Sequence, residues 1–147
     1  MLTLIPDIDP RLRQKCEFVN LNKPGFDIDQ LVSDMFHIMH ANNGVGLAAP
    51  QVGVMKRLFI MAIPINGVAK HMVCINPMVV TARRPEIDTE GCLSFPGIKR
   101  DVSRARMIKG NYRDQSGRPR SETFEGVAAR CFLHELDHLN GVVFLDR

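Results

Sequence analysis

The stretch that decides the reading is His134-Glu135-Leu136-Asp137-His138, near the end of a chain of 147 residues. It lies inside Glu125 to Asn140, a segment that reads as a helix closed by Gly141 at a C′ position. Residues four apart on a helix share one face about a turn apart, so both imidazoles reach a single cation. Glu135, adjacent to the first histidine, then reaches a water molecule held there without taking a coordination position. The spacing separates two roles: a metal lowers the pKa of water, and a carboxylate takes and returns its proton.

A catalytic site of this kind needs three protein ligands and an open position. Residues 139 to 147 contain no His, Cys or Glu, and Asp146 reads as a surface residue, so the third ligand is expected upstream. Cys131 shares a helical stripe with both histidines, but seven steps of rise to His138 amount to about 10 Å, beyond metal bonds of roughly 2 Å. It reads as a buried apolar cysteine. Cys16 and Cys74 have no motif around them, and His37, His40 and His71 lack ligand spacing and read as surface or partly packed residues. Cys92 remains, in Glu90-Gly91-Cys92-Leu93-Ser94-Phe95-Pro96-Gly97. Gly91 permits close approach and Pro96-Gly97 turns the chain away, so the segment presents a thiolate and neighbouring backbone N–H groups toward a centre.

A third segment, Gly44-Val45-Gly46-Leu47-Ala48-Ala49-Pro50-Gln51-Val52-Gly53, lacks the Lys-Ser/Thr ending of a phosphate loop and the strand-then-helix context of a dinucleotide site. It reads either as a tight turn or as a backbone that approaches a ligand closely, with Gln51 offering an amide donor to a developing oxyanion.

Around these motifs the chain organises simply. Residues 1 to 26, with prolines at 6, 10 and 24, form an extended opening segment with one short helical turn. From Asp27, a good N-cap, apolar residues recur at helical spacing until Asn42-Asn43-Gly44. Strands are expected at Arg57 to Ile63, Met72 to Ile75, Met78 to Val80 and Met107 to Tyr112, with turns at 66-67, 76-77 and 116-117. A last short strand is expected at Val142 to Leu145. The fold class is α+β: small, mostly antiparallel sheets around a C-terminal helix that bears the His-Glu-x-x-His motif, with a second amphipathic helix near the N-terminus. The chain is expected to form a single catalytic domain over residues 1 to 147.

Composition narrows the function. The chain is 45% hydrophobic and 24% charged, ordinary for a globular protein. Its 19 basic and 16 acidic residues give a formal charge of +3 and are intermixed; Arg83-Arg84 and Lys99 to Lys109 fall short of a nucleic-acid site. No signal peptide and no membrane span is expected. The 4 cysteines are too few and irregular for a disulfide framework, which points to a reducing compartment.

Taken in order, Gly-x-Gly-Leu-Ala-Ala-x-Gln, Glu-Gly-Cys-Leu-Ser and His-Glu-x-x-Asp-His form a pattern that resembles the peptide deformylases, and the likeness runs from Asp9-Pro10-Arg11-Leu12-Arg13 to Phe144. The resemblance implies removal of the N-formyl group from the formyl-methionine of newly made polypeptides, with release of formate. It implies that Cys92, His134 and His138 bind one divalent metal ion, Fe2+ by preference, with Zn2+, Ni2+ or Co2+ able to substitute. Glu135 would handle the proton of the attacking water. Gln51 and the Leu93 N–H would stabilise the oxyanion, Gly46 would contact the substrate backbone, and Val45 and Val127 would help line the methionine pocket. Asp137 and Glu90, with Arg104 as partner, are candidates to orient the ligands. The resemblance also implies a cytoplasmic protein, in a bacterial-type cytosol or in a host cytosol if the chain is virus-encoded.

Two departures stand out. Leu133 precedes the first histidine where the family usually has glutamine, and the chain stops at Arg147 where many bacterial members continue into a basic C-terminal helix associated with ribosome docking. Ribosome contact by that route is therefore not expected. The alternatives are a related metal amidase acting on another acyl group, and a non-catalytic metal- or peptide-binding module, whose site would be closed by a fourth ligand and would not need Glu135.

Overall fold

The computed structural model describes residues 2–147. Two α-helices, α1 (Ile28–Ala41) and α2 (Val127–Leu139), flank five strands: β1 (Gly46–Ala48), β2 (Leu58–Ile65), β3 (Val68–Cys92), β4 (Phe95–Arg113) and β5 (Pro119–Glu125). The strands form one antiparallel sheet in the order β1-β2-β3-β4-β5, so each pairs with its neighbour in sequence. Among the described residues no helix is long and apolar enough to cross a membrane.

Strand β2 explains the layering. Leu58, Ile60 and Ala62 pack in one apolar cluster with Leu31, Val32, Met35 and Met39 of α1. The alternating residues Phe59, Met61 and Ile63 pack in another with Ala129, Cys131, Phe132 and Leu139 of α2. Side chains on a strand point to opposite faces in turn, so one strand buried on both sides holds the two helices apart across the sheet. Asp27 caps α1 by accepting from the Gln30 N–H at 3.0 Å. The apolar stripe of α1 then follows from helical spacing.

Helix α2 stops where the sequence says it should. The Gly141 N–H donates to the His138 carbonyl at 3.1 Å and the Val142 N–H to the Asp137 carbonyl at 2.9 Å, the paired bonds of a Schellman ending. Gly141 has φ 75, and a Cβ there would sit 2.8 Å from the Arg13 backbone.

Three expectations need correction. The strands are longer and joined: the Asn76-Pro77 signal marks a bulge within β3, with a register shift between Ile75 and Met78, and not a turn between two strands. Asn76 there exchanges hydrogen bonds with the Val19 backbone, 2.8 Å to its N–H and 2.9 Å to its carbonyl, which anchors the opening segment. Residues 81 to 91 and β5 are strand although their sequences are polar, because both are exposed ribbons held by ladder bonds. Finally, Val142 to Leu145 contains no strand: Phe144–Asp146 is a 3-10 turn. Val143 and Phe144 are buried with Leu12, Phe95 and Val102, so their hydrophobicity reports packing and not pairing.

Replacing Gly141 with alanine forces a left-handed residue against the Arg13 backbone, and destabilisation of about 1–3 kcal/mol is expected by denaturant titration.

Candidate active site

The centre assembles from two elements with different geometries. Helix α2 carries His134 and His138 one turn apart, their ring centroids 5.1 Å apart. The tip of the β3–β4 hairpin carries Cys92, which pairs with Phe95 across the two-residue turn Leu93-Ser94. The Cys92 Sγ and one nitrogen of each histidine all lie within 4.8 Å of one another. The Cys92 Sγ is 3.4 Å from the His138 Nε2. Among the described residues no fourth His, Cys, Asp or Glu joins the cluster. Cys131, on the same helix, is buried and points its thiol at the Val45 carbonyl, 3.7 Å away, outside the triad.

Two carboxylates flank the triad in opposite states. Glu90 accepts from the His134 Nδ1 at 2.8 Å, from Arg104 Nε at 2.6 Å and Nη2 at 3.0 Å, and from Arg130 Nη1 at 2.7 Å. Burial works against its charge, but the bonds from His134 and Arg104 prevail and hold the carboxyl down at about 2. The bond to Nδ1 leaves the His134 Nε2 for the centre, the usual orienting arrangement for a metal-ligating imidazole. Arg104 also donates to Asp137 at 2.7 Å, and Asp137 accepts from Arg147 Nε at 2.9 Å. Glu135 has no such company. It is buried, its Oε1 is without a hydrogen-bond partner, and burial raises its carboxyl to about 7 against the pull of His134 and Arg104.

The donor set fits a divalent transition metal. A thiol sulfur and two imidazole nitrogens converge within 4.8 Å of one another. Burial alone would push His134 down, yet the charge of Glu135 and the hydrogen bonds with Cys92 and Glu90 drive it up to about 10. His138 moves the other way, lowered by burial and by the neighbouring positive charges of His134 and Arg104, which favours the neutral imidazole. A soft thiolate with two imidazoles suits iron(II), zinc, nickel or cobalt.

A cleft of about 530 Å³ opens onto this centre and is lined by Gly44, Val45, Gly46, Gln51, Leu93 and Val127 among others. Gln51 follows β1 in a 3-10 turn, Ala49–Val52, and is buried. Its Oε1 accepts from the Ala48 N–H at 2.9 Å, which commits the oxygen and turns the amide NH2 toward Ser94 Oγ at 2.9 Å and Cys92 Sγ at 3.6 Å. Leu93 is the first residue of the hairpin turn, so its N–H lies outside the Cys92–Phe95 ladder pair. Gly46 must be glycine, because a Cβ would sit 2.6 Å from the Glu135 Oε2 and 2.7 Å from the Cys131 Sγ. Val45 and Val127 are partly exposed on the cleft wall.

Of the nine residues singled out from the sequence as site residues, eight line this cleft, and the ninth, His138, is buried beside Cys92. His37, His40 and His71 lie exposed, and none of them lines it. Arg130 and Arg147 escaped notice because isolated arginines carry no local signal; only the fold brings them to Glu90 and Asp137. Leu133, in place of the usual glutamine, is half-buried and packs against the apolar cluster under α2.

An α+β scaffold, a His2Cys triad on a helix and a hairpin, and a buried carboxylate at its side together define the arrangement of a metallohydrolase. Comparison with known proteins narrows this class. The polypeptide deformylase family model matches residues 1–147. A peptide deformylase of Prochlorococcus marinus is 45% identical over 139 residues, covering 92% of this chain and 67% of that one. The solved peptide deformylase of Synechococcus elongatus in complex with actinonin superposes with a TM-score of 0.90 at 39% identity, over 99% of this chain and 78% of that chain. The Thermotoga maritima peptide deformylase gives 0.91 at 38% identity, over 100% of this chain and 97% of that chain. This chain belongs to the peptide deformylase family.

Arg104 is buried between two carboxylates, so Arg104→Met leaves Glu90 and Asp137 without a shared cation. A loss of about 3–5 kcal/mol in unfolding free energy is expected, read from the denaturation midpoint.

Proposed function

We propose that the chain, acting as one catalytic domain over residues 1 to 147, hydrolyses the formyl amide of N-formyl-methionyl termini on newly made polypeptides. The observation that carries the reading is the three-ligand cluster of Cys92, His134 and His138 beside Glu135, a buried carboxylate with an unpartnered oxygen. Three ligands leave a position open for chemistry, which a closed structural site would not.

Cys92, His134 and His138 would hold one divalent ion, iron(II) by preference, with zinc, nickel or cobalt compatible with the same donors. When bound, such an ion supplies Lewis acidity, lowering the pKa of water and polarising a carbonyl. Glu135 takes a proton from the attacking water as its oxygen bonds to the formyl carbon. A carboxyl raised to about 7 is matched to accepting that proton near neutrality and giving it back. The tetrahedral intermediate carries its charge on the former carbonyl oxygen, where the Gln51 amide and the Leu93 N–H donate hydrogen bonds. Glu135 then returns the proton to the amine nitrogen, the C–N bond breaks, and formate leaves a free methionine terminus.

Substrate placement follows from the cleft. Gly46 lies on β1, an edge strand, and offers its backbone to an extended peptide. Val45 and Val127 border the apolar space for a methionine side chain. A formyl group, with only a hydrogen on its carbonyl carbon, approaches the centre more closely than an acetyl group. The substrate class places the activity in the cytosol, where nascent chains emerge.

Three measurements test this. Formyl-Met peptides are expected to be cleaved and acetyl-Met peptides spared; preference for acetyl would replace the reading with another amidase. Glu135→Gln is expected to lower turnover about 10²–10⁴-fold while the metal stays bound, and retained turnover would sink the proton-transfer role. Gln51→Ala is expected to lower kcat about 10²–10³-fold with little change in metal content.

A further inference from the structure

Away from the cleft, two exposed histidines face each other across α1 and the sheet. His40 lies in the last turn of α1 and His71 on β3, opposite Ala62 of β2. Their Nε2 atoms share a hydrogen bond of 2.9 Å and their ring centroids are 5.1 Å apart. Phe36, one turn before His40, packs beside both rings, stacked on His40 at 6.2 Å and edge-on to His71 at 5.1 Å.

We propose that His40 and His71 form a second, surface site for a divalent transition metal that accepts two imidazoles at a right angle, nickel(II) or copper(II) in class. The close approach of two exposed imidazole nitrogens carries the argument. Metal–nitrogen bonds of about 2.0–2.1 Å set at 90° place the two nitrogens about 2.9 Å apart, whereas a tetrahedral centre places them about 3.4 Å apart. The 2.9 Å contact is a hydrogen bond between the rings, and an ion that displaces its shared proton takes both nitrogens at nearly the same spacing when it binds them at a right angle. Both rings are at the surface, so water fills the remaining positions. Phe36 holds the rings in place before any ion arrives, which lowers the ordering cost of binding. An ion there clips the end of α1 to β3, immediately before Asn42 and Asn43, which line the cleft.

The site is independent of Cys92, and its readout is a difference of one equivalent whatever that centre holds. Nickel-loaded enzyme is dialysed against rising free nickel(II), and bound metal is counted by elemental analysis. The parent is expected to gain one further equivalent and to melt at a higher temperature when it does. His40→Ala and His71→Ala are each expected to lose that equivalent and the thermal shift, with formyl-peptide turnover unchanged. His37→Ala, on the same helix, is expected to keep both. Should an alanine variant fold poorly, His40→Gln and His71→Gln keep the bulk of the side chain and remove the imidazole. A parent that takes up no further nickel at about 1 mM free ion, the weak end of specific affinity, overturns the site and leaves a proton shared between the rings. Persistence of the extra equivalent in both His40 and His71 variants overturns it equally, by locating the metal elsewhere.

Discussion

The ion network centred on Glu90 is the constraint on which the rest of the site depends. Glu90 stands near the end of β3, Arg104 on β4, and Arg130 and His134 on α2, so one carboxylate ties the hairpin that carries Cys92 to the helix that carries both histidines. Taking these charges out of water costs several kcal/mol each, and the network offsets that only because every oxygen of Glu90 is bonded. Apolar packing of Phe132 and Leu139 brings α2 to the sheet, but non-directional contact does not fix the rotation of a helix. The bonds to Glu90 do. They also commit the His134 Nδ1 to Glu90, and so turn its Nε2 toward the centre.

Glu90 and Glu135 are the same residue type with opposite assignments. Glu90 is surrounded by donors and held at about 2; Glu135, next in sequence to the histidine that Glu90 orients, is buried against Gly46 with an unpartnered Oε1 and sits at about 7. Environments that push two carboxyls apart in this way set a charged structural anchor beside a group suited to proton transfer. Gly46 sustains the difference, because any larger residue would enter the space beside the Glu135 carboxylate.

The parts legible in the sequence were those whose physics is local. The Asp27 cap, the α1 stripe, the Gly141 ending and the Asn66-Gly67 and Ser116-Gly117 turns depend on neighbours within a few residues, and each is found in place. The two histidines and Glu135 were legible for the same reason. Cys92 was legible only by its surroundings, and nothing in its segment indicated that it would close a hairpin. The polar half of β3 was hidden because an exposed ribbon shows no alternation, and Val143-Phe144 misled because burial beneath a hairpin looks like a strand when read as hydrophobicity alone. Arg130 and Arg147, like the pairing of His40 with His71, exist only in three dimensions.

Where the fold leaves polar atoms buried and unpaired is itself informative. Among the described residues these are Arg57 Nε, Asn111 Oδ1, Glu135 Oε1 and His138 Nδ1, and two of the four lie at the centre. A buried group without a partner costs about 1–3 kcal/mol, so a sequence shaped for stability alone would cover or replace them. The apolar clusters on both faces of β2 and the ion network around Glu90 supply the stability that this arrangement gives up. The buried, unpartnered Oε1 of Glu135 is thus a cost borne by the scaffold, and an oxygen already holding a hydrogen bond would be a poorer acceptor for the proton of water.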